Sequence, residues 1–568
     1  MKLQLKPKKW LKSPFDVITQ NEVKRLMKNP TLLEDAFYKD LEFGTGGIRG
    51  IMGVGPNRVN KYTFGKVTQG LSNYLKQFFS NDDKISVVIG YDCRNNSKTL
   101  AKVVANVLSA NNIKVFLFSD LRATPVVSYS VKKLDCNCGI VLTASHNPPE
   151  YNGYKIYWKD GGQIIYPHDS QISSKIKSLD YNDINFNANE KLIDFIDNEI
   201  DIKFCKESII NGKIGNGERN KIKVVFTPIH GTSIITIPNV FQASGYKNFE
   251  IVEEQAIPDG NFPTVVSPNP EETEALSMAL NKANKIDADI VIGTDPDSDR
   301  LGIAVRNENN ELELLNGNQI MIVLTNFILE KENFKNLNNP FVATTIVSSP
   351  MLKKIAEHFN VDCKLTLTGF KWIAKMIEDY PDEVFLGGGE ESFGFMIGDF
   401  VRDKDAITSS LLACEVASTA LSNGETFFDQ LLKAYEKFGL YQEKLVSFVK
   451  KGKEGAYKIK QMMDNLRKTP PSEIDGFVIE TIEDFKTEIK LDCKSGKKEK
   501  MTLPKSDVII FTAENGTKVA ARPSGTEPKI KFYFSVHCPF NNRLEYTALR
   551  SDLIDRIDRV CVQLGLTV

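Results

Sequence analysis

The chain has 568 residues, and its 72 Lys and Arg residues against 73 Asp and Glu residues give a formal net charge of −1. At roughly 100–200 residues per domain this length predicts about three to five domains and excludes a single core. The balanced charge excludes a global positive field for nucleic acid or anionic membranes, so any anion site must be local.

The distribution of apolar and metal-binding residues narrows the class of protein. The sequence has no 18-residue apolar run, and its basic first 15 residues contain no apolar run of 7–15 residues, which predicts a cytoplasmic protein. Its nine cysteines form no Cys-x-x-Cys pair, and none of its five histidines are spaced i, i+4. We therefore expect reduced thiols and, if a metal is bound, oxygen ligands.

Apolar runs predict the same order of elements three times along the chain, strand, helix, strand, helix, strand. Strands linked by helices pair in parallel, and ligands bind beyond the carboxyl ends of such strands. In the first unit Thr124 is the predicted N-cap of the second helix, and the rule on ligands points to Ser145. The predicted strands are 85–92, 113–118 and 138–144, then 222–227, 248–253 and 288–293, then 341–347, 363–367 and 383–387.

From about residue 436 the pattern changes to strands separated by turns, followed by one closing helix. The predicted fold class is α/β, with three mixed α/β sheet domains of similar topology plus a smaller C-terminal α+β domain. The predicted domains are 1–205, which includes an N-terminal helical extension, 206–312, 313–435 and 436–568.

The first polar motif, residues 143–155, is predicted to be a loop because of its prolines and its Asn-Gly pair. Ser145 is flanked by His146 and followed by Lys155, so an exposed hydroxyl nucleophile has proton-transfer and charge partners nearby. A plain polar turn explains this stretch equally well. The absence of Gly-x-Ser-x-Gly argues against a hydrolase.

The second motif places Asp295, Asp297 and Asp299 at i, i+2, i+4 between two apolar strands. Three carboxylates so close repel one another unless a divalent cation neutralises them, and they suit Mg²⁺ bridging to a phosphate. An EF-hand is excluded because Arg300 and Arg306 occupy the positions that need Gly and Glu. A solvated acidic turn is the remaining alternative.

Two further motifs have weaker signals. Residues 387–394 are predicted to form a glycine-rich loop whose Glu390 and Glu391 can accept hydrogen bonds from sugar hydroxyls, although solvated glutamates explain it as well. Residues 522–529 combine a guanidinium, two hydroxyls and a glycine, which predicts a phosphate cradle or a simple Pro-Ser-Gly turn. Residues 43–50 match neither Gly-x-Gly-x-x-Gly nor Walker A, so nucleotide binding has no support.

Together these motifs resemble the α-D-phosphohexomutase superfamily, the phosphoglucomutase and phosphomannomutase group, over nearly the whole chain. Residues 143–148 look like the family's phosphoserine loop, 295–300 its metal loop, 389–394 its sugar loop and 522–528 its phosphate loop. The resemblance implies four domains around a central cleft and reversible phosphoryl transfer between C1 and C6 of a hexose. It implies Mg²⁺ and a sugar 1,6-bisphosphate as activator and intermediate.

The resemblance also implies roles for individual residues. Ser145 would be phosphorylated and would share the metal with the three aspartates, and the implied residues fall into four groups. The catalytic group is Ser145, His146, Arg49, Lys155 and Lys404, the metal group is Asp295, Asp297 and Asp299, the substrate group is Arg300, Thr368, Gly369, Lys371, Glu390, Glu391 and Ser392, and the phosphate group is Arg522, Ser524, Gly525, Thr526 and Lys531.

The sugar is the least determined part of the resemblance. Residues 46–49 and 368–372 look more like the branch containing phosphopentomutases and glucose-1,6-bisphosphate synthase, whereas residues 390–392 look like the glucose enzymes. We prefer interconversion of glucose 1-phosphate and glucose 6-phosphate. Phosphomannomutase, phosphopentomutase or bisphosphate synthase activity and an inactive mutase-like binding protein are the alternatives. The expected partner is a small phosphosugar, with no nucleic acid and no membrane, for a monomer or homodimer.

Overall fold

The structure is a computed structural model that describes residues 2–44, 46–82, 84–331, 334, 336–449, 452–524 and 529–566. Within these ranges, no helix combines the length and the apolar character needed to cross a membrane.

Three helices precede the first sheet, whose strands run in the order β1-β5-β4-β2-β3-β6. All five residues of β4 are buried, because helices cover both faces of its parallel neighbours. The elements of this part are α1 (Lys2–Lys9), α2 (Val17–Leu26), α3 (Pro30–Phe37), β1 (Gly47–Ile51), α4 (Lys61–Phe78), β2 (Ser86–Tyr91), α5 (Ser97–Ala110), β3 (Lys114–Phe118), α6 (Thr124–Lys133), β4 (Cys138–Leu142), β5 (Tyr151–Trp158), α7 (His168–Ser178), β6 (Ile193–Ile196) and α8 (Asn198–Gly212).

The second sheet has the order β11-β10-β9-β7-β8 and the third the order β13-β12-β14-β15. The second part contains β7 (Val224–Thr227), α9 (Ile237–Ser244), β8 (Phe249–Ile251), α10 (Glu253–Ala256), α11 (Ser277–Ile286), β9 (Ile290–Thr294), β10 (Leu301–Arg306) and β11 (Leu312–Leu314). The third contains α12 (Gly317–Glu330), β12 (Pro340–Thr345), α13 (Met351–His358), β13 (Asp362–Thr366), α14 (Lys371–Asp379), β14 (Val384–Glu390), β15 (Gly394–Ile397), α15 (Ala406–Ser422) and α16 (Phe427–Phe438).

These three sheets share one central arrangement. In each, three parallel strands are followed by a fourth strand that returns antiparallel beside the third, as in β2, β3, β4 and β5. The equivalent sets are β7, β8, β9 and β10, and β12, β13, β14 and β15. The Ser145 loop, the aspartate turn and the Glu391 turn each connect the third strand to the fourth. Three motifs therefore occupy the same topological position, at the carboxyl end of a central strand.

The C-terminal part is an antiparallel sheet in the order β16-β23-β22-β21-β18-β19-β20, with β17 paired to β18. One buried apolar cluster continues from Val88 through Ile290 and Phe341 to Phe532, so the four sheets pack on one another. The predicted mixed α/β fold class is confirmed. The elements are β16 (Leu440–Val449), α17 (Gly452–Lys468), β17 (Glu473–Ile474), β18 (Phe477–Asp484), β19 (Ile489–Asp492), β20 (Lys498–Lys500), β21 (Ile509–Ala513), β22 (Lys518–Pro523), β23 (Lys529–Cys538) and α18 (Tyr546–Gln563).

Three local predictions from the sequence are wrong. Tyr151 to Lys155 form part of β5 and not of a loop, because this stretch completes the sheet between β1 and β4. Gly388 and Gly389 extend β14 beyond the predicted strand 383–387, and a Cβ on Gly388 would lie 2.2 Å from the Ala343 carbonyl oxygen. Thr124 is the first residue of α6 and makes no capping bond, because its hydroxyl donates to a carboxylate of the second sheet.

Candidate active site

Ser145 lies in the turn between β4 and β5 and is only 1% exposed, contrary to the expected exposed hydroxyl. Its Oγ donates to Asp295 Oδ2 at 2.6 Å and lies 3.2 Å from His146 Nδ1. Its backbone has a φ of 52°, in the left-handed region that few non-glycine residues adopt. The turn therefore holds the serine hydroxyl against the aspartate motif in a strained conformation.

The aspartate motif forms the turn between β9 and β10. Asp295, Asp297 and Asp299 are all buried, and each offers one oxygen within 4.8 Å of the others. Asp295 Oδ1 accepts hydrogen bonds from the backbone N–H groups of Asp299 and Arg300, both at 3.0 Å. The backbone of the turn thus fixes the first carboxylate and, through it, the serine.

Two basic side chains and a hydroxyl hold the other two carboxylates. Lys155 Nζ lies 2.7 Å from Asp297 Oδ2 and 2.7 Å from Asp299 Oδ2. Thr124 Oγ1 donates to Asp297 Oδ2 at 2.9 Å, and Lys404 Nζ is 3.3 Å from Asp299 Oδ2. Residues of the first and third sheets therefore complete a charge cluster built around a turn of the second.

The three carboxylates fit a hard divalent cation. Asp297 Oδ1 and Asp299 Oδ1 are buried and accept no hydrogen bond within the described residues. Unsatisfied buried acceptors are costly, and oxygen ligands without nitrogen or sulfur suit Mg²⁺ or Ca²⁺. The structure thus supports a metal site at this turn, and the sequence prediction that oxygen atoms hold the metal agrees with it.

Proton equilibria in the cluster follow from burial and charge. Burial, reinforced by the carboxylates of Asp297 and Asp299, raises the pKa of Asp295 well above its usual value. Burial acts in the same direction on Asp297, but the Lys155 ammonium outweighs it and holds the pKa of Asp297 below its usual value. Burial, aided by Arg300, lowers the pKa of His146 well below its usual value, so this imidazole is neutral at pH 7.

Two other predicted catalytic residues lie at the border of the cluster. Arg49 is exposed on β1, and its guanidinium donates to Asn147 Oδ1 at 3.2 Å. Lys404 is 8% exposed, and its Nζ lies 3.0 Å from Asp403 Oδ1. Asp403 Oδ2 in turn accepts from the Tyr157 hydroxyl at 2.6 Å. Arg49 is therefore open to a ligand, whereas the Lys404 ammonium is held by Asp403, which Tyr157 in turn holds.

A cleft of about 600 Å³ opens between the four sheets. It contains residues that the sequence motifs missed, among them Asn269, Glu271, Glu443 and Tyr533. These residues lie outside the recognised motifs, so the sequence does not single them out. They come to the cleft only because the sheets pack against one another. The predicted residues that line it are His146, Arg300, Thr368, Gly369, Glu390, Glu391, Ser392, Arg522 and Lys531.

The carboxylates of the third sheet are held by neighbouring groups. Glu391 Oε2 accepts hydrogen bonds from Ser348 Oγ at 3.0 Å and Thr345 Oγ1 at 3.2 Å. Burial raises the pKa of Glu390 to about 7, with the nearby Lys404 ammonium opposing it. Ser348 and Thr345 are further residues that the sequence did not reveal, since Thr345 ends an ordinary strand and Ser348 follows it.

The remaining predicted residues lie elsewhere. Lys371 lines a neighbouring cavity of about 240 Å³ together with Trp158 and His168, and it does not line the cleft. Ser524 donates its backbone N–H to the Lys529 carbonyl oxygen at 2.7 Å. The predicted phosphate ligands Gly525 and Thr526 lie outside the described residues.

Comparison with known proteins agrees with this architecture. Models of Phosphoglucomutase/phosphomannomutase alpha/beta/alpha domains I, II and III match residues 40–183, 204–309 and 316–438. The chain is 38% identical over 533 residues to a phosphoglucomutase of Staphylococcus epidermidis, covering 92% of this chain and 96% of that protein. It is 37% identical over 539 residues to a phosphoglucomutase of Staphylococcus aureus, covering 93% and 95%.

Solved structures show the same fold at lower identity. The phosphoprotein parafusin from Paramecium, a phosphoglucomutase, superposes with a TM-score of 0.66 at 18% identity, covering 92% of this chain and 96% of that one. A phosphoglucomutase/phosphomannomutase family protein from Burkholderia thailandensis gives 0.65 at 17% identity, covering 92% and 97%. The chain therefore belongs to the phosphoglucomutase/phosphomannomutase family, whose members are intramolecular phosphotransferases, and it is an enzyme of that type.

Proposed function

We propose that the enzyme interconverts glucose 1-phosphate and glucose 6-phosphate through a phosphoserine at Ser145 and a bisphosphorylated sugar. The observation that carries this proposal is the 2.6 Å hydrogen bond from Ser145 Oγ to Asp295 Oδ2, beside two carboxylate oxygens that have no hydrogen-bond partner among the described residues. The phosphoglucomutases of the two staphylococci, at 37–38% identity over most of the chain, favour glucose as the sugar.

The charges around Ser145 suit phosphoryl transfer, which depends mostly on positioning and electrostatics. Asp295, Asp297 and Asp299 would hold Mg²⁺, which supplies positive charge beside the phosphoryl oxygens when it is bound. The Lys155 ammonium pairs with two of the carboxylates at 2.7 Å, and Arg49 lies open on β1 to meet the transferred group.

The chemistry of each half-reaction balances at Ser145. A sugar hydroxyl oxygen forms the new bond to phosphorus while the bond from phosphorus to Ser145 Oγ breaks. The hydroxyl proton ends on Ser145 Oγ, which then donates it in the hydrogen bond to Asp295 Oδ2. The bisphosphorylated sugar turns round in the cleft, and its other phosphoryl group returns to the serine in the second half-reaction.

The rest of the cleft provides the binding groups that this reversal needs. Arg522 and Lys531 on neighbouring strands would hold the phosphate that is not reacting, in either orientation of the sugar. Glu390, Glu391 and Ser392 would accept and donate hydrogen bonds to the sugar hydroxyls.

The test combines mass analysis with kinetics. We expect intact-mass analysis to find one phosphoryl group on Ser145 after incubation with glucose 1,6-bisphosphate. We expect Ser145→Ala to lower the turnover of glucose 1-phosphate by about 10⁴-fold or more, since removing a nucleophile has effects of this size. Ser130→Ala is the matched control, because Ser130 is also buried in the first part but donates to the Val126 carbonyl in α6.

Near-wild-type turnover by Ser145→Ala would refute the phosphoserine mechanism. Assays with mannose 1-phosphate and ribose 1-phosphate, run beside glucose 1-phosphate, test the sugar separately. We expect the highest kcat/KM with glucose 1-phosphate, and a higher value with either competitor would reassign the substrate.

A further inference from the structure

Arg94, which follows β2, holds the turn that carries Ser145. Its side chain is fully buried, and its guanidinium donates to four carbonyl oxygens of that turn. Nη2 donates to Ser145 O at 2.5 Å and also to Asn147 O, and Nη1 donates to Pro148 O at 2.8 Å and Tyr151 O at 3.1 Å. One side chain thus binds the turn from the serine to the start of β5.

Arg94 is itself fixed by groups on two sides. Asp92 Oδ1 accepts its backbone N–H at 3.0 Å, and the Asp92 carboxylate lies 3.4 Å from its Nε. The ring of Phe262, from the second part of the chain, lies 5.0 Å from the guanidinium carbon. Next to that ring, a Cβ on Gly260 would lie 2.4 Å from the backbone nitrogen of Asn95, so only glycine permits this close approach.

The turn needs such a support because it is buried and strained. Ser145 adopts a φ of 52°, and strained backbone persists only where its surroundings determine it. Buried carbonyl groups must also find donors, and a guanidinium offers five N–H groups in a rigid planar fork. Arg94 satisfies four carbonyls at once and leaves the hydroxyl of Ser145 directed at Asp295.

We infer that Arg94 is the positioning residue of the nucleophile, one that acts on Ser145 and never on the sugar. This inference rests on the proposed role of Ser145. Arg94 does not line the cleft, so its loss should misplace the serine without removing a contact to substrate. A displacement of about 1 Å at a reacting group costs about 100-fold in rate. The effect should therefore appear in kcat and leave KM nearly unchanged.

The main experiment compares Arg94→Lys with Arg306→Lys. An ammonium is a point donor without the fork, so it cannot reach four carbonyls. Arg306 is a matched control because it also donates to carbonyls of connecting segments, Ala288 O at 3.1 Å and Asn310 O at 2.9 Å, and pairs with one carboxylate, that of Asp287. We expect about 100-fold lower kcat with KM within threefold for Arg94→Lys, and wild-type constants for Arg306→Lys.

A second variant keeps the inference open to refutation if Arg94→Lys fails to fold. Gly260→Ala retains Arg94 but forces the Phe262 segment away from it. We expect a smaller fall in kcat, about 10-fold, again with KM nearly unchanged. The rate at which glucose 1,6-bisphosphate phosphorylates Ser145, followed by intact mass, should fall in parallel for both variants.

The outcomes separate this inference from the proposed function. If wild-type enzyme acquires no phosphoryl group on Ser145, the proposed function fails. If wild-type enzyme is phosphorylated there but Arg94→Lys keeps its kcat, or loses it no more than Arg306→Lys does, the positioning role is refuted. A rise in KM equal to the fall in kcat would also overturn it.

Discussion

The two ends of the cleft differ in how their charges are balanced. At the serine end, the Lys155 ammonium and the Thr124 hydroxyl contact two of the three carboxylates at 2.7–2.9 Å, so only part of the negative charge is balanced by these two groups. At the phosphate end, Arg522 and Lys531 face each other across neighbouring strands. Burial, with Lys529 acting in the same direction, lowers the pKa of Lys531.

This difference separates the chemistry from the binding of substrate. The serine end keeps a negative excess that a divalent cation relieves, and its side chains are held by protein partners before substrate arrives. At the phosphate end like charges oppose each other directly, an arrangement that destabilises a sheet. In the proposed function a dianionic phosphate would relieve this repulsion, so binding energy would be released there while the reacting groups stay in place.

The largest expected effect comes from breaking the serine end. Asp297→Asn keeps an acceptor for Thr124 but removes the charge that pairs with Lys155 and that a cation needs. We expect activity at a Mg²⁺ concentration of about 1 mM to fall by about 100-fold or more, with partial recovery at higher Mg²⁺ concentrations. Calorimetric titration with Mg²⁺ should show the weakened affinity directly.

The control for this change is Asp201→Asn, since Asp201 is a partly buried partner of Arg122 away from the cleft. Wild-type enzyme should also lose activity in excess chelator and regain it when Mg²⁺ is restored. Full activity in excess chelator would remove the metal from the mechanism.

The sequence predicts those parts of the site whose residues are neighbours along the chain. The aspartate turn was predicted correctly because three carboxylates between two buried strands form a pattern within five residues. The parallel strands were found because burial on both faces gives continuous apolar runs. Strand β5 was missed because Asn152 and Gly153 indicate a turn, and only pairing with β1 and β4 makes them strand residues.

Contacts between distant segments had no sequence signal at all. Thr124 was interpreted as a helix cap, and its partner Asp297 lies 173 residues away along the chain. Arg94 stands two residues after Asp92 in an ordinary strand end, and nothing local connects it to the Ser145 carbonyl. These roles become visible only when the sheets pack.

A smaller effect is expected from breaking the phosphate end. Arg522→Ala removes a charge-assisted contact of about 1.5–3 kcal/mol, which corresponds to roughly 10–150-fold in kcat/KM. In the proposed reaction either phosphate of the sugar would occupy this end in turn, so both reaction directions should suffer equally. Arg522→Lys should recover only part of the loss, since an ammonium lacks the bidentate fork.

Steady-state kinetics in both directions measures this prediction, with Arg559→Ala as control because Arg559 pairs with Asp475 on the outer surface. Unchanged kcat/KM in Arg522→Ala would exclude Arg522 from the site. It would also show that the positive charges at this end do not bind the phosphate.

The sugar turn lies between the two ends and should show a smaller effect than either of them. Glu391→Gln keeps the shape and one acceptor but removes the charge that strengthens hydrogen bonds from sugar hydroxyls. We expect transition-state stabilisation to weaken by about 1–2 kcal/mol, so that kcat/KM for glucose 1-phosphate falls roughly 5–30-fold. Glu425→Gln, on the surface beside Lys433, is the control. If kcat/KM for glucose 1-phosphate and ribose 1-phosphate were both unaffected, this turn would not contact the sugar.

The smallest expected effect is a pH dependence of kcat/KM. It arises if the charge of Lys371, which lies outside the cleft, adds to the positive charge at the phosphate end. Burial lowers the pKa of Lys371 to about 8, with the Arg522 guanidinium acting in the same direction and Asp169 opposing it. Lys371 is therefore protonated at pH 7 and loses its charge as the pH rises through about 8. Sugar phosphates are already dianionic there, since the second pKa of a phosphate ester is about 6.

A fall in kcat/KM above pH 8 therefore reports the free enzyme and not the substrate. Losing one charge near Arg522 should lower kcat/KM by about two- to fivefold between pH 7 and 9, because solvent and salt screen a charge in a neighbouring cavity. Arg at position 371 stays charged, so Lys371→Arg should flatten this part of the profile. Lys518, whose pKa burial also lowers to about 8, is the competing group, and Lys518→Arg should leave the fall in place. If Lys518→Arg flattens the profile and Lys371→Arg does not, the cationic end extends along the C-terminal sheet and not towards Lys371.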